Sequence, residues 1–495
     1  MKDCVIGIDI GTSGCKLLAL DAKGEILAVD TQSYPLYHPH EGWSEQQPED
    51  WWQGVTRGLP HVLGALAGAR VAGVSFSGQM HGMVALDAAG HVVCRAPLWN
   101  DQRTQAQCDE ITAVAGGVEA MLACTNNVML TGCTGGKILW LRQSDPACFA
   151  RIARILNPKD YVRFCLTGEA YTEVSDASGT GFFDVRQRAW SHSLLARVGL
   201  SAELFAPVVE STARTGAVCA AASAATGLPV GTPVYGGGGD AVLSTVAMGL
   251  DSPRKVGVTL GTSGVVSMSL PHFVPNPGGR FQIYCGNGPG RWMVYGSSNS
   301  AAGSYQWFCD TLAGGASYAA LEEAACAVAP GSDGLTFLPY LTGERFPHFD
   351  AQAKGGFIGL DARMGLGHFA RAVMEGVCWS QKQIFDEVAA LLPDAQTEEI
   401  VLTGGGAKSA LWRQILADVL ELPVRTVYGG AHGGAFGAAL VAGVGAGLFA
   451  DLEEAMCLAK PQTEALPNPR HRDIYRAGYK KYAGMYPALR WSFTK

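Results

Sequence analysis

The tetrapeptide Gly-Thr-Ser-Gly occurs twice in this chain, each time between two apolar segments. The first copy, Gly11-Thr12-Ser13-Gly14, follows the apolar run Cys4–Ile10. The second copy, Gly261-Thr262-Ser263-Gly264, lies 250 residues later and follows Lys255–Leu260. A short apolar run, a glycine-rich turn and a second apolar run are the pattern of a β-hairpin. Because the spacing is half of the 495 residues, the matching flanks predict two related halves, each beginning with a hairpin.

The duplication divides the chain into two predicted domains, residues 1–246 and 247–495. A length of 495 residues also exceeds that of an ordinary single domain. Segments with helical and strand periods alternate along the chain, and 368–392 shows one apolar helical face. A buried strand is predicted at Glu399–Thr403, followed by a helix at 409–420. Such alternation predicts the α/β fold class.

Composition excludes several partners. The net charge is −7, and no long run of Lys or Arg is present, which argues against nucleic acid and anionic membranes. No stretch of about 18 uncharged apolar residues predicts a membrane span, and the N-terminus lacks the apolar core of a signal peptide. The 14 cysteines include no Cys-x-x-Cys pair, so we expect a cytoplasmic protein. The assembly stays open, with a homodimer as one alternative.

The repeated turns are candidate phosphate sites. Each offers several backbone N–H groups and two hydroxyls, and glycine allows a close approach to a ligand. Asp9 precedes the first turn, where a carboxylate can bind Mg²⁺ directly or through water. The alternative is an ordinary hairpin in which Asp9 caps the turn. A P-loop is excluded, because Ile138 follows Gly136-Lys137 where Ser or Thr is required.

A third glycine-rich segment, Gly404-Gly405-Gly406, lies between a predicted strand and a predicted helix. Backbone amides at a helix start suit an anion or the adenosine edge of a nucleotide. The segment is also weakly similar to a dinucleotide fingerprint, although Ser409 occupies the position of its third glycine. A dehydrogenase is therefore an alternative that NAD binding would test.

Three polar segments are candidates for catalysis and substrate binding. Asp240 follows four consecutive glycines, Gly236–Gly239, and a carboxylate presented in this way can accept a proton from an attacking hydroxyl. The alternative is a cap for a helix beginning near Val242. Gln79-Met80-His81 and Asn100-Asp101 follow strand-like runs and suit a polyol. The alternative for these two segments is polar loops.

A longer set of motifs is distributed over nearly the whole chain. In order, it comprises Gly7–Ser13, Gly78–Gly82, Leu98–Asp101, the pattern Gly132-x-Thr134-x2-Lys137-Ile138-x-Trp140-Leu141, Phe337–Arg345, a segment from Gly355 through Glu375, and Leu402–Gly406. This set resembles the FGGY carbohydrate kinases, and within that family the xylulokinases most closely. Several long motifs in the right order are far more specific than any single loop.

The resemblance implies the actin/Hsp70-type ATPase fold, with two ribonuclease H-like domains and a nucleotide and sugar cleft between them. It implies ATP and Mg²⁺ as cofactors. It also implies these roles: Asp240 as catalytic base, Met80 and His81 as sugar ligands, Asp9 with Thr12 and Ser13 as metal and phosphate elements, Thr262 with Gly261 and Ser263 as the second phosphate loop, and Gly404–Gly406 beside adenosine.

The implied activity is ATP-dependent phosphorylation of a terminal hydroxyl of a ketopentose, D-xylulose to D-xylulose 5-phosphate. Xylulokinases usually have Asn directly after the catalytic Asp, whereas this chain has Ala241. The substrate therefore stays open among D-xylulose, ribulose, L-xylulose and gluconate. Glycerol fits less well, because glycerol kinases place Arg-Glu where this chain has Met80-His81. A non-catalytic sugar and nucleotide sensor is the alternative from another functional class.

Overall fold

Residues 3–493 are described by a computed structural model, and the chain forms two units. The first unit contains the residues up to Asp251 together with Leu270–Met293 and His432–Ala459. The second contains Ser252–Ser269, Val294–Ala431 and the residues from Lys460 onward. The units therefore do not follow a single cut in the sequence. The boundary between residues 246 and 247 stays a prediction for the family domains.

The chain forms 24 strands within the described residues. In chain order they are β1 (Asp3–Ile10), β2 (Gly14–Asp21), β3 (Ile26–Ser33), β4 (Glu45–Gln46), β5 (Arg70–Gly78), β6 (Val84–Leu86), β7 (Ala96–Pro97), β8 (Arg154–Leu156), β9 (Thr172–Glu173), β10 (Phe183–Asp184), β11 (Ala189–Trp190), β12 (Val208–Val209), β13 (Arg214–Ala217), β14 (Pro233–Tyr235), β15 (Gly238–Gly239), β16 (Lys255–Leu260), β17 (Gly264–Leu270), β18 (Gln282–Cys285), β19 (Trp292–Ser298), β20 (Thr336–Leu338), β21 (Gly356–Ile358), β22 (Glu399–Thr403), β23 (Val424–Val427) and β24 (Pro461–Ala465).

The α-helices follow the same order. They are α1 (Pro48–Gly64), α2 (Gln105–Ala115), α3 (Val118–Thr125), α4 (Thr134–Ser144), α5 (Pro146–Phe149), α6 (Pro158–Thr167), α7 (Val174–Ser178), α8 (His192–Val198), α9 (Ala220–Thr226), α10 (Asp240–Ala247), α11 (Ala302–Thr311), α12 (Tyr318–Cys326), α13 (Leu366–Ala389), α14 (Ala410–Leu420), α15 (Gly433–Gly445), α16 (Leu452–Met456) and α17 (Arg472–Leu489). Within residues 3–493, no helix is both long and apolar enough to span a bilayer.

The main sheet of the first unit has the strand order β13-β14-β5-β1-β2-β3. Strands β1, β2 and β3 pair antiparallel in sequence, and β1 also pairs parallel with β5. The hairpin predicted around the first Gly-Thr-Ser-Gly turn is thus confirmed. Alternate β1 residues such as Ile6, Ile8 and Ile10 belong to the buried core on one side of this sheet.

The second main sheet has seven strands, and its segment β24-β23-β22-β16-β17 repeats this arrangement. Strand β16 pairs antiparallel with β17 and parallel with β22, as β1 does with β2 and β5. Strand β22 in turn pairs parallel with β23, and β24 is antiparallel to β23. Five strands therefore have the same order and direction in both sheets, which agrees with the predicted duplication. The strand at Glu399–Thr403 is confirmed as β22, and the predicted helices appear as α13 and α14.

Helix α15 covers β1 in the first unit although it is encoded more than 400 residues later. The approach is close, because a Cβ added at Gly7 of β1 would lie 2.0 Å from the Ala435 oxygen and 2.5 Å from the Ala439 nitrogen. Residues 434–443 of the helix are all buried. Only a glycine on the strand allows this separation, since real Cβ contacts below 3.0 Å are essentially never seen.

Candidate active site

In the first Gly-Thr-Ser-Gly turn, the Ser13 side chain is exposed. The Thr12 hydroxyl, in contrast, forms hydrogen bonds on two sides. The Thr12 hydroxyl donates to Oε1 of Gln79 at 3.1 Å and accepts from the indole N–H of Trp99 at 3.0 Å. Trp99 itself is 44% exposed. The turn is therefore hydrogen-bonded to Gln79 of one predicted polyol segment and to Trp99, which directly precedes the other.

Gln79 lies beneath this turn and is only 1% exposed. Its amide N–H groups donate to Oε1 of Gln46 at 2.8 Å and to the Gly11 carbonyl at 3.4 Å. Gln46 in turn donates to the Thr12 carbonyl at 2.7 Å and accepts from the indole of Trp51. The polar atoms of Gln79 are thus used to hold the turn, which places this residue behind the candidate phosphate site.

Asp9 lies at the end of β1, level with Ser77 on β5 and Lys16 on β2. Burial raises the pKa of its carboxyl group, and the Ser77 hydroxyl and the Lys16 charge offset this only in part. Among the described residues, no well-formed hydrogen bond reaches the buried Oδ1 of Asp9. The start of α15 lies beside it, since a Cβ added at Gly434 would be 2.7 Å from that oxygen. A buried carboxylate oxygen without a well-formed hydrogen bond suits a cation.

Asp240 is the first residue of α10, so the helix begins two residues earlier than the capping alternative assumed. Its Oδ1 accepts a hydrogen bond from the Ala241 N–H at 2.7 Å, and the side chain keeps part of its surface open. Burial, followed by the nearby negative charge of Asp9, raises the pKa of Asp240 to about 7. A helix N-terminus favours a carboxylate by only about 0.3–1 kcal/mol, so burial and like charge dominate. A pKa near neutrality suits a general base.

Met80 and His81 lie directly beside the segment that leads into Asp240. Met80 packs on Gly239, where an added Cβ would be 2.6 Å from the Met80 sulfur. The His81 ring places Nδ1 2.6 Å from the Gly179 carbonyl oxygen and Nε2 3.4 Å from the Tyr284 hydroxyl. The predicted sugar ligands and the predicted base are therefore brought together within the first unit.

Asn100 and Asp101 point to different surroundings. The Asp101 side chain is fully buried and binds Arg103 through both carboxylate oxygens, while its Oδ2 also accepts from the Ser44 N–H at 2.8 Å. The Arg103 guanidinium also lies 3.5 Å from the centre of the Trp43 ring. Asn100 is partly exposed, and its buried Oδ1 has no hydrogen-bond partner among the described residues. Of the two side chains, Asn100 is the one with an atom left to bind a ligand.

In the second unit, Thr262 and Ser263 are exposed at the tip of the hairpin between β16 and β17. The Thr262 carbonyl accepts from the backbone N–H groups of Ala301 at 2.9 Å and Gly303 at 3.2 Å. Ala302 and Gly303 begin α11, so the loop is fixed by a helix start.

The Gly404–Gly406 segment lies against the same hairpin. A Cβ added at Gly404 would be 2.5 Å from the Leu260 carbonyl oxygen, and the Thr259 and Thr403 hydroxyls are 2.9 Å apart. The parallel pairing of β16 with β22 causes this proximity, because both strands end at the same edge of the sheet. The exposed residues of the two candidate nucleotide segments, Thr262, Ser263, Gly404 and Gly405, therefore lie at the same edge of the sheet, whereas Gly406 is buried.

Comparison with known proteins places the chain in a family. The model of the N-terminal domain of the FGGY family of carbohydrate kinases matches residues 4–247, and the model of the C-terminal domain matches residues 256–446. The chain belongs to the FGGY carbohydrate kinases, which are enzymes that use ATP to phosphorylate sugars.

Individual relatives agree with this assignment. The chain is 37% identical to a xylulose kinase of Escherichia coli K12 over 84% of either chain. It is similar to a solved xylulose kinase structure from Rhodospirillum rubrum, with a TM-score of 0.91, 29% identity and coverage of 99% and 100%. A gluconate kinase structure from Lactobacillus acidophilus matches with a TM-score of 0.91, 25% identity and coverage of 100% and 99%. The expected two-domain kinase fold is confirmed by these matches.

Two residues near His81 carry no role in the sequence predictions. Lys137 falls in the family motif, but its letter alone does not show that its amine reaches the His81 carbonyl at 2.7 Å. Tyr284 lies 203 residues from His81, in a segment without a motif, and no local pattern connects the two. A lysine directly after two glycines is the one sequence signal that could have drawn attention to Lys137.

Proposed function

We propose that this carbohydrate kinase transfers the γ-phosphoryl group of ATP to the terminal hydroxyl of D-xylulose, giving D-xylulose 5-phosphate and ADP. The observation that carries the proposal is the position of Asp240, which begins α10 immediately after a glycine on which the Met80 side chain packs. A carboxylate beside two sugar-binding candidates is the arrangement that general base catalysis on a sugar hydroxyl requires.

In the proposed reaction, the terminal hydroxyl oxygen of the sugar attacks the γ-phosphorus in line with the departing ADP. Asp240 accepts the hydroxyl proton as the new O–P bond forms and the bond from the γ-phosphorus to the bridging oxygen breaks. The raised pKa of Asp240, about 7, makes the carboxylate a stronger proton acceptor than an ordinary aspartate. Below pH 7 a growing share of the free enzyme holds this group protonated and unable to act.

The residues at the end of β1 fit a magnesium ion. Asp9 has a buried oxygen without a well-formed hydrogen bond among the described residues, and hard oxygen ligands are those that Mg²⁺ prefers. We assign Asp9 to the metal, directly or through water. When bound, Mg²⁺ supplies positive charge that stabilises the phosphate oxygens.

The two hairpin turns supply the candidate phosphate contacts. In the first unit, Gln79 holds Thr12 and the Gly11 carbonyl, so we assign Gln79 to positioning the phosphate loop. In the second unit, Thr262 and Ser263 are exposed on a loop fixed by α11, and the Gly404–Gly406 segment lies beside them. We assign Thr262 and Ser263 to phosphate and Gly404–Gly406 to adenosine. Backbone N–H groups at these turns can stabilise developing negative charge.

The sugar assignment depends on relatives and on one substitution. Xylulose kinases at 37% and 29% identity favour D-xylulose, and the gluconate kinase at 25% keeps a sugar acid as the second candidate. Ala241 offers no side-chain hydrogen bond next to Asp240. We assign sugar contacts to Met80, His81 and Asn100, whereas Asp101 is engaged with Arg103 and supports the same loop.

The test is ADP release with Mg·ATP and each of D-xylulose, D-ribulose, L-xylulose, gluconate and glycerol, with a blank that contains no sugar. We expect D-xylulose to give the highest kcat/KM. Preference for another sugar would overturn the substrate and keep the kinase. ATP binding with no ADP release above the blank would favour the sensor.

The cellular location and the assembly are proposals of the same kind. All 14 cysteines are free thiols in the structure, which agrees with a reducing cytoplasm. A homodimer stays one alternative, and sedimentation at two protein concentrations would decide it.

A further inference from the structure

His81 has an unusual backbone conformation. Its φ angle is +72°, in the left-handed region that non-glycine residues seldom adopt. Such a conformation costs about 1–3 kcal/mol and persists only where the surroundings hold it. The residue follows the end of β5, so the strand itself does not impose the angle.

Two side chains of α4 hold the His81 carbonyl. The Thr134 hydroxyl donates to this oxygen at 3.0 Å, and the Lys137 amine donates to it at 2.7 Å. Lys137 also donates to the Gly132 carbonyl at 2.5 Å, just before the helix. Thr134 is 1% exposed and Lys137 is fully buried, so water does not compete for these bonds.

The helix that carries these residues is itself closely packed. A Cβ added at Gly135 would lie 2.9 Å from Phe182, and one added at Gly136 would lie 2.8 Å from the Cys108 sulfur. The Gly135 N–H also donates to the Thr180 carbonyl at 2.8 Å. Because α4 has little room to move, its two donors are fixed in position.

The His81 ring forms a contact of its own, which it reaches from the position that the backbone sets. The Gly179 carbonyl oxygen can only accept a hydrogen bond, so Nδ1, 2.6 Å away, carries a proton. Nε2 faces the Tyr284 hydroxyl at 3.4 Å, a long contact. We assign Nε2 to the sugar contact proposed for His81, and its direction depends on both the ring and the backbone.

Lys137 is a costly residue at this place. Its two hydrogen bonds go to neutral carbonyls rather than to a carboxylate, and burial lowers the pKa of its amine to about 7. Among the described residues, the charged and titratable groups that act on this pKa are Cys133, Asp101, Cys108 and Arg103, and none of these four forms an ion pair with it. An apolar side chain of the same length would avoid the desolvation penalty, which indicates that the amine is kept for another reason.

We propose that Lys137, together with Thr134, is a positioning residue of the sugar site that fixes the left-handed backbone of His81 and thereby the direction of its Nε2. The inference rests on the proposed function for its kinetic consequence. Its structural consequence is a single orientation and tautomer of the His81 ring, and this consequence is independent of the proposed function.

The test compares Lys137→Met with Arg142→Met as a matched control. Arg142 is a cation on the same helix and also donates to two backbone carbonyls, those of Val198 and Gly199, at 3.1 and 3.2 Å. We expect Lys137→Met to raise the sugar KM at least tenfold and to leave the Mg·ATP KM within twofold. We expect Arg142→Met to leave both KM values within twofold.

A second pair, Thr134→Val and Thr134→Ser, tests the same carbonyl without removing a charge. The valine is expected to raise the sugar KM severalfold, and the serine, which keeps the hydroxyl, is expected to restore it. A sugar KM within twofold of wild type in both Lys137→Met and Thr134→Val would overturn the proposal.

The ring is observed directly by ¹⁵N NMR of histidine-labelled protein, with the His81 signals assigned from His81→Ala. We expect the wild type to show one tautomer with a proton on Nδ1, and Lys137→Met to show averaged signals. An unchanged His81 spectrum in Lys137→Met would refute the positioning role even if the wild type phosphorylated none of the sugars. Wild-type inactivity together with the expected NMR change would instead refute the proposed function alone.

Discussion

Replacing Asp240 by Asn should make the protein more stable and nearly inactive at the same time. Asn keeps the oxygen that accepts from the Ala241 N–H, and it removes the buried negative charge. The pKa of Asp240 rises from 3.8 to about 7 on folding. At about 1.36 kcal/mol per pKa unit, this rise corresponds to at most about 4 kcal/mol of destabilisation. Because the side chain keeps part of its surface open to solvent, we expect about 1–3 kcal/mol.

The sign of the pH dependence follows from the direction of the shift. Asp240 binds its proton more tightly in the folded protein than in the unfolded chain. The destabilisation of the folded protein by the Asp240 charge is therefore absent below the unfolded pKa of 3.8. It develops between pH 4 and 7 and is fully present above pH 7. The asparagine variant should therefore exceed the wild type most at pH 8, and the difference should shrink toward pH 5.

Calorimetry of the unliganded proteins in EDTA, from pH 5 to pH 9, measures this difference. A gain of about 1–3 kcal/mol should raise the melting temperature of the affected transition by about 2–10 °C at pH 8. Asp109→Asn, at an exposed carboxylate on α2, is the control and should leave it unchanged. Turnover of Asp240→Asn should fall about 10²–10⁴-fold. Equal or lower stability at pH 8, or a difference independent of pH, would refute the reasoning.

Three further substitutions test other parts of the site. Gly434→Ala places a methyl carbon 2.1 Å from the Ser77 hydroxyl and 2.7 Å from Asp9; it should cost about 1–3 kcal/mol in denaturant unfolding and lower kcat. Gly64→Ala is the control, because a methyl group at this helical glycine meets no atom within 4 Å, and it should change neither the stability nor kcat. Equal behaviour of the two variants would contradict the packing argument. Thr12→Val should raise the Mg·ATP KM about tenfold, whereas Thr12→Ser should keep a KM near that of the wild type. An unchanged KM in the valine variant would show that the Thr12 hydroxyl has no role in ATP binding. Ala241→Asn should lower the D-xylulose KM about two- to tenfold, which corresponds to the net free energy of one hydrogen bond. An unchanged KM would show that no sugar group faces this position.

The strands and turns of both hairpins could be predicted from the sequence, because an apolar run next to Gly-Thr-Ser-Gly favours a hairpin through local interactions alone. It was not sufficient to separate Asn100 from Asp101 or Gln79 from His81. Neighbouring polar residues after a strand can face different surroundings, and which of them faces a ligand depends on partners such as Arg103 that only the folded chain supplies. Helix α15 was not predicted, since the segment Gly-Gly-Ala-Phe-Gly-Ala-Ala-Leu-Val-Ala-Gly-Val-Gly has no polar face to give a helical period.

The late origin of α15 has a consequence for the order in which the protein is made. The helix that covers β1 and lies beside Asp9 is translated only after residue 432, by which point Ser252–Ser269 and Val294–Ala431 of the second unit have already been synthesised. The second unit can therefore begin to fold on the ribosome while the first still exposes the apolar face of its earliest strand. A nascent chain paused before residue 432 would carry the strand that ends at Asp9 without its covering helix, and that exposed strand is where we expect chaperones to bind.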